Sequence, residues 1–143
     1  VIRIVHHFYS RLLAAEPFYL GVMGSIAGFM SSPLFAVYGA SKAALKIFIE
    51  SVNVELEMAG TENRILNVSP GSIKGTAFYN GVTDLSVTTA LAEEIIAHLR
   101  SHDDLFIPQY DDIFRTVLER YHTDFRAEGR HSYEYKMQSG RLK

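Results

Sequence analysis

Residues 18–48 read FYLGVMGSIAGFMSSPLFAVYGASKAALKIF, and the fold prediction starts from this stretch. Its first part, FYLGVMGS, is a short apolar run typical of a buried strand, and SSP at 31–33 interrupts the chain. From Ala36 to Met58 the sequence has the periodicity of a long helix, and Gly60 is a typical residue to end it. The stretch therefore predicts a strand, a turn and a long helix.

Strands and helices alternate along the whole chain. Besides the elements above, the sequence predicts a helix at 1–14, a strand in RILNVS (64–69), a helix in TTALAEEIIAHL (88–99), a strand in DLFIP (104–108) and a helix in DDIFRTVLERYHTDF (111–125). This alternation favours parallel strands joined by right-handed crossovers. The predicted fold class is α/β, part of a doubly wound parallel sheet of about three strands with flanking helices. Residues 1–143 are expected to form a single partial domain, in which 108–143 supply a carboxyl-terminal helix and a polar tail.

The composition limits the class of protein. The chain has 143 residues, 48% of them apolar, a formal net charge of −2 and no cysteine. That length suits one domain, and the slight negative charge argues against a nucleic-acid-binding protein. No apolar run approaches the roughly 20 residues that a membrane span needs, and the absence of cysteine is compatible with a cytoplasmic location. Because Val1 already lies in a helical pattern, we interpret the chain as part of a longer protein.

Tyr38 and Lys42 stand four residues apart in YGASK, near the start of the long predicted helix. At this spacing two side chains share one face of a helix. An ammonium beside a phenol favours the phenolate and lowers the pKa of the phenol from about 10, which allows proton exchange near neutral pH. The pair is therefore a candidate acid/base device, although such pairs also occur on helix surfaces without a function.

Two loops of the predicted sheet lie where a ligand is expected. In doubly wound sheets, ligands bind at the carboxyl ends of the strands. GSIAG (24–28) follows the first predicted strand, and PGSIKG (70–75) follows the second. Ser25 ends the first strand while Tyr38 opens the next helix, so this geometry can bring a hydroxyl, a phenol and an ammonium to one point.

Ser25, the Tyr38-x-x-x-Lys42 motif in YGASKAAL and PGSIKGT after RILNVS occur in this order, and together they resemble the short-chain dehydrogenase/reductase family over about residues 1–107. The resemblance implies a Rossmann-like fold and hydride transfer between NAD or NADP and a small carbonyl or alcohol substrate. It implies that Tyr38 is the acid/base, that Lys42 lowers the pKa of Tyr38 and binds the nicotinamide ribose, and that Ser25 holds the substrate oxygen. The cofactor-binding residues that it implies are Tyr38, Lys42, Pro70, Gly71, Ile73 and Thr76.

Some features of that family are missing from the chain. The glycine-rich fingerprint that holds the pyrophosphate at a helix amino terminus does not occur, nor does the residue that selects NAD or NADP. We therefore expect the amino-terminal dinucleotide-binding half to be absent and this chain to supply the catalytic half. Alternatively, the chain is a non-catalytic assembly or dimerisation fragment that cannot bind the cofactor by itself.

The predicted helix 36–58 has more apolar surface than one sheet can cover. One stripe contains Leu45, Phe48, Val52 and Leu56, and a second contains Ala40, Ala44, Ile47, Val54 and Met58. The resemblance implies that the second stripe packs against the same helix of another subunit, in a homodimer or a homotetramer. The apolar strand 18–23 is expected to have a bare edge, which a neighbouring chain, an exchanged segment or further residues of the same protein would cover.

Two further groups of residues allow more than one interpretation. His98 and His102 have the spacing of metal ligands on a helix, but without a third ligand we expect no metal site. Phe78, Tyr79 and Asn80 could contact a substrate or could only pack within their loop.

Overall fold

A computed structural model describes residues 1–139, with the side chain of Asn80 excepted. Its strands are β1 (Leu20–Met23), β2 (Ile65–Val68) and β3 (Leu105–Phe106), and its helices are α1 (Ile2–Leu12), α2 (Ala36–Met58), α3 (Ala77–Asn80), α4 (Leu85–Arg100), α5 (Arg115–Thr123) and α6 (Phe125–Gln138). There are also a 3-10 turn at Ile26–Gly28 and a π-helical turn at Tyr110–Phe114. Of the predicted polar tail, residues 140–143 lie outside the described residues.

The three strands form one parallel sheet in the order β1-β2-β3. Leu20 of β1 pairs with Ile65 of β2, and Asn67 of β2 pairs with Leu105 of β3. All residues of β2 are buried, as is typical of a central strand covered on both faces. The predicted α/β class, with about three parallel strands and flanking helices, is therefore confirmed. Within residues 1–139 the other edge of β1 has no strand partner, so the expectation that a neighbouring chain, an exchanged segment or further residues of the protein cover it stays a prediction.

Helix α2 runs over the predicted span 36–58. Gly60 follows its end with a φ of 77°, a left-handed conformation that glycine adopts without the steric cost of a side chain. One stripe of α2 enters the main core together with residues of α1, β1 and β2. The buried residues of this core are Val5, Leu12, Val22, Ile49, Val52, Leu56 and Ile65.

Two buried asparagines connect the helices to the sheet. Asn63 accepts a hydrogen bond from the Phe18 amide at 2.8 Å and donates one to the Ala14 carbonyl at 3.0 Å, which ties the segment between α1 and β1 to the start of β2. Asn53 on α2 accepts a hydrogen bond from the Ile65 amide and donates one to the Ile65 carbonyl, each at 2.9 Å. An amide that satisfies both backbone groups of one buried residue fixes the position of α2 against β2.

The structure differs from the sequence prediction in the carboxyl-terminal region. The single helix predicted at 111–125 instead starts with a π-helical turn and is broken at Asp124, where the backbone is extended (φ −149°, ψ 94°). The Asp124 carboxylate accepts hydrogen bonds from the amides of Ala127 and Arg126, at 3.0 and 2.9 Å, and so caps a new helix. These bonds, with that from Ala127 the largest cause, hold the pKa of Asp124 below its usual value. Residues 126–138, predicted as polar tail, belong to this helix, α6.

In the part of the chain that the structure describes, no helix combines the length and the apolar character that crossing a membrane requires.

Candidate active site

The loops after β1 and β2 meet at the carboxyl-terminal edge of the sheet. The Gly24 amide donates a hydrogen bond to the Val68 carbonyl at 2.7 Å, and the Ile26 amide donates one to the Pro70 carbonyl at 3.1 Å. A Cβ at Gly24 would overlap the Ser69 side chain, so only glycine allows this close approach. The two loops that were predicted to carry the site are thus held side by side.

Ser25 lies between these hydrogen bonds and is only 8% exposed. Its hydroxyl oxygen accepts a hydrogen bond from the Ala27 amide at 3.2 Å, so Ser25 caps the 3-10 turn that follows β1. Gly28, at the end of this turn, touches α2, because a Cβ there would lie 2.8 Å from the backbone carbonyl of Lys42. The turn therefore sets the distance between Ser25 and the helix that carries Lys42.

Tyr38 and Lys42 share one face of α2 near its start. The Lys42 ammonium lies 5.6 Å from the centroid of the Tyr38 ring, within the range of a cation–π contact. It also donates a hydrogen bond to the carbonyl oxygen of Met23, the last residue of β1, at 2.9 Å. Tyr38 is 37% exposed, which leaves its side chain accessible to a bound molecule. The three residues predicted as catalytic, Ser25 included, therefore lie around the carboxyl end of β1.

The residues predicted to face a nicotinamide lie on the loop after β2. Pro70 joins this loop to the Ser25 loop through the hydrogen bond from Ile26. The Ile73 carbonyl accepts two hydrogen bonds from Thr76, one from its amide at 3.2 Å and one from its hydroxyl at 2.7 Å, and these bonds close a turn. In this arrangement the Thr76 hydroxyl can accept a hydrogen bond from a bound molecule but does not have its proton available to donate.

Phe114 is a neighbour of this loop that the sequence analysis did not identify. A Cβ at Gly71 would overlap the Phe114 ring, so the ring lies directly on the Gly71 backbone. The π-helical turn 110–114 follows Gln109, which has a left-handed backbone (φ 61°), and it presents the ring to the loop. The run DDIFR has an ordinary helical pattern, so no local signal distinguishes this phenylalanine from its neighbours.

His98 and His102 do not belong to any metal-binding cluster of three or more His, Cys, Asp or Glu side chains among the described residues. The Nδ1 atom of His98 lies 2.6 Å from the Asp103 carboxylate, and its ring stacks on Phe106 with 4.1 Å between the centroids. The His102 ring lies 5.1 Å from the ring of Tyr19. Both histidines therefore pack against aromatic rings.

Proteins of one family are similar to this chain. The profile of a family described as short chain dehydrogenase matches residues 20–101, which is more than half of the chain. A curated short-chain dehydrogenase of Pyricularia oryzae is 30% identical over 122 residues, which cover 81% of this chain and 42% of that protein. Another, of Neurospora crassa, is 31% identical over 106 residues, which cover 71% of this chain and 36% of that protein.

A solved structure has a similar fold. It is described as a short-chain dehydrogenase from Novosphingobium aromaticivorans and matches with a TM-score of 0.62 and 16% identity, over 87% of this chain and 46% of that one. At this identity the match supports the fold alone. The chain spans less than half the length of the curated relatives that it matches. The match to the family profile, together with these relatives, shows that the chain belongs to the short-chain dehydrogenase family.

Proposed function

We propose that this chain is the carboxyl-terminal catalytic half of an NAD- or NADP-dependent oxidoreductase, which transfers a hydride between the nicotinamide and a small carbonyl or alcohol substrate. Tyr38 acts as the acid/base. The observation that carries the proposal is the position of the Lys42 ammonium, 5.6 Å from the Tyr38 ring and bonded to the end of β1, which Ser25 follows. Membership of the family supports the same reaction class.

In the reductive direction, the carbonyl carbon of the substrate gains a hydride and its oxygen develops negative charge. When bound, the nicotinamide supplies that hydride, or accepts it in the reverse direction. The Tyr38 hydroxyl donates a proton to the oxygen, which becomes an alcohol. Ser25 suits the role of a fixed donor to the same oxygen, because its hydroxyl accepts from the Ala27 amide and so keeps its own proton to donate.

Lys42 has donors available for a cofactor. An ammonium carries three N–H bonds, and the contact with Met23 uses one of them. The others suit the hydroxyl groups of a ribose. The same ammonium lies 5.6 Å from the centroid of the Tyr38 ring, so one side chain can contact both the ribose and the acid/base.

The described residues fit the nicotinamide half of a dinucleotide but not its pyrophosphate. The Ile26–Pro70 hydrogen bond places the backbone at Gly71 beside the Ser25 loop, and Ile73 and Thr76 continue the same loop. Because the Phe114 ring covers Gly71 on the side where a Cβ would lie, a nicotinamide ring would approach this backbone from another side. The glycine-rich turn that would hold the phosphates does not occur in the sequence. We therefore propose that holding the whole cofactor needs residues beyond these.

The test is the variant Tyr38→Phe in the full-length protein that carries these residues, assayed with NAD(H) and NADP(H) against a panel of aldehydes, ketones and alcohols. Loss of the hydroxyl should reduce kcat by at least about 10²-fold, with an unchanged circular dichroism spectrum and Tm. Tyr133→Phe, at an exposed ring on α6, is the matched control and should keep the wild-type kcat. Substantial turnover by Tyr38→Phe would refute the acid/base role.

A second candidate function is assembly without catalysis. The outer stripe of α2 exposes Ile47 at 57%, Val54 at 58% and Met58 at 82%, an apolar surface typical of an interface. We propose that this stripe packs against the same stripe of a second subunit, in a homodimer or a homotetramer. If assembly were the chain's only role, residues 1–143 would still associate, and Tyr38→Phe would leave the turnover of the full-length protein unchanged.

A further inference from the structure

Helix α6 lies against the loop that leads into α2. A Cβ at Gly129 would sit 3.5 Å from the Ser31 hydroxyl and 4.0 Å from the Pro33 ring, so the backbone of α6 is close to this loop. Two helical turns later, the Lys136 ammonium donates hydrogen bonds to the Ser32 hydroxyl and the Pro33 carbonyl, each at 3.0 Å. One face of α6 therefore contacts three consecutive residues of the loop.

The Lys136 ammonium sits where a positive charge is unfavourable. It lies 5.3 Å from the centroid of the Phe35 ring, near the amino terminus of α2, and the dipole of that helix opposes a cation there. Partial burial also lowers the pKa of Lys136. The hydrogen bonds to Ser32 and Pro33 and the cation–π contact with Phe35 offset these costs, so the side chain is held in place by specific contacts.

The loop that Lys136 contacts is only partly fixed by its own bonds, of which the hydrogen bond from the Phe35 amide to the Ser32 carbonyl, at 3.0 Å, closes the turn 32–35. Leu34 has a φ of 70°, a left-handed value that is unfavourable for a residue with a side chain and needs support from its surroundings. Phe35 occupies the N-cap position of α2, and its side chain has no atom that can cap the helix. The contacts from α6 therefore add a restraint to a turn that carries an unfavourable residue and an uncapped helix start.

Helix α6 is in turn fixed to α5. The buried carboxylate of Glu128 accepts a hydrogen bond from Nε of Arg120 at 2.7 Å. Breaking this ion pair would be costly, because it would leave the buried carboxylate without a partner. Lys136 thus extends from a helix that is itself anchored.

We propose that Lys136 is a positioning residue for Tyr38: it holds the turn 32–35 and, through that turn, the start of α2 in the orientation that proton transfer needs. Tyr38 is the third residue of α2, so a change in how the helix begins moves its hydroxyl directly. This inference rests on the proposed function of Tyr38. Lys136 lies outside the residues 20–101 that match the family profile, and the tertiary structure alone brings it to this loop.

The experiment compares three variants of the full-length protein. Lys136→Met removes the charge with little change in side-chain length, Lys136→Arg keeps a cationic donor, and Arg130→Met removes a charge from an exposed position of the same helix. Lys136→Met should lower kcat by about tenfold or more, because small displacements of a catalytic group are costly, while the KM for the cofactor stays within about twofold. Lys136→Arg should recover most of kcat, and Arg130→Met should match the wild type.

Amide hydrogen exchange without substrate gives a readout that does not depend on activity. Lys136→Met should accelerate exchange in a peptide covering residues 32–40, and Arg130→Met should not. Unchanged kcat or unchanged exchange in Lys136→Met would overturn the proposal, as would an equal loss of kcat in Arg130→Met.

If Lys136→Met does not fold, Ser32→Ala removes one acceptor of the same contact. Ser32→Ala should lower kcat and accelerate amide exchange in residues 32–40, each by less than Lys136→Met is expected to. Wild-type values of both kcat and exchange in Ser32→Ala would overturn the proposal. Wild-type activity in Tyr38→Phe would instead refute the proposed function, so the two failures are distinguishable.

Discussion

The ammonium of Lys42 donates a 2.9 Å hydrogen bond to the carbonyl oxygen of Met23, and this bond joins the face of α2 that carries Tyr38 to the end of β1. The lysine is therefore held at the edge of the sheet before any ligand arrives. Because the contact uses one of its three donors, Lys42 can keep its position while it binds a second group.

Lys42→Ala should weaken both cofactor binding and turnover, because it removes the proposed ribose donor and the charge beside Tyr38. We expect the KM for the cofactor to rise and kcat to fall, each by about tenfold or more.

Ser25→Ala should instead lower mainly kcat, by roughly 10²-fold, since it removes a donor to the substrate oxygen. Steady-state kinetics with cofactor and substrate varied separately will distinguish the two, and an unchanged cofactor KM in Lys42→Ala would contradict the ribose contact.

Gly28→Ala should destabilise the protein, because its methyl group would lie 2.8 Å from the backbone of Lys42 and could fit only if α2 moved. Overpacking of this kind costs about 1–3 kcal/mol, which urea denaturation can measure. Gly21→Ala is the control, since its methyl would meet only the end of the Leu99 side chain, at 3.3 Å. Equal losses of unfolding free energy in the two variants would contradict the prediction, because the close contact between Gly28 and α2 would then add no cost of its own.

Gly71→Ala should displace the Phe114 ring, because the new methyl group would occupy the space of that ring. Phe114→Ala should leave a cavity, which also destabilises. In the double variant the methyl group has room, so its loss of Tm should be smaller than the sum of the two single losses. Thermal unfolding of the four proteins tests this coupling, and strictly additive losses would mean that the ring and the loop are not in contact.

Val54→Glu should separate the subunits of the proposed homodimer or homotetramer. A specific interface buries about 1,200–2,000 Å², and a carboxylate enclosed there without a partner is strongly unfavourable. Sedimentation at micromolar concentration should show an oligomer for the wild type and a monomer for Val54→Glu. Thr89→Glu, at an exposed position of α4, should leave the oligomer intact. A wild-type monomer would contradict the interface.

Residues 1–143 produced alone should bind NAD(H) and NADP(H) negligibly and should catalyse no hydride transfer. The reason is that they contain no glycine-rich turn at a helix amino terminus to hold the pyrophosphate. Titration of NADH and NADPH into material of verified mass measures this directly. Micromolar binding, or turnover that depends on Tyr38, would be incompatible with the prediction.

The sequence predicts the sheet and the candidate catalytic motif because both depend on local patterns. Short apolar runs end just before Ser25 and Pro70, and such runs identify buried strands without knowledge of their partners. Tyr38 and Lys42 share a face because four residues make about one helical turn. Gly60 could be recognised as the end of α2 because glycine alone adopts its left-handed backbone at no steric cost.

The remaining features depend on contacts between distant positions or on competing local signals. The position of Phe114 on Gly71 and of Lys136 on the loop before α2 follows from packing, and neither residue stands out in its own stretch. The break at Asp124 did have a local signal, since aspartate is a preferred N-cap residue. Because the helical periodicity continues up to Asp124, the sequence favoured one helix that runs through this residue. The polar composition of 126–138 favoured a tail without regular structure.

The two hydrogen bonds between Asn53 and the backbone of Ile65 have a mechanical consequence for α2. Asn53 lies about 22 Å along the helix axis from Tyr38, and the helix cannot roll about that axis without breaking both bonds in a buried place. A second subunit packed on the outer stripe, as proposed above, would meet a helix whose rotation these two bonds oppose. We therefore expect substitutions on that stripe to change the proposed association without turning the Tyr38 ring away from the end of β1.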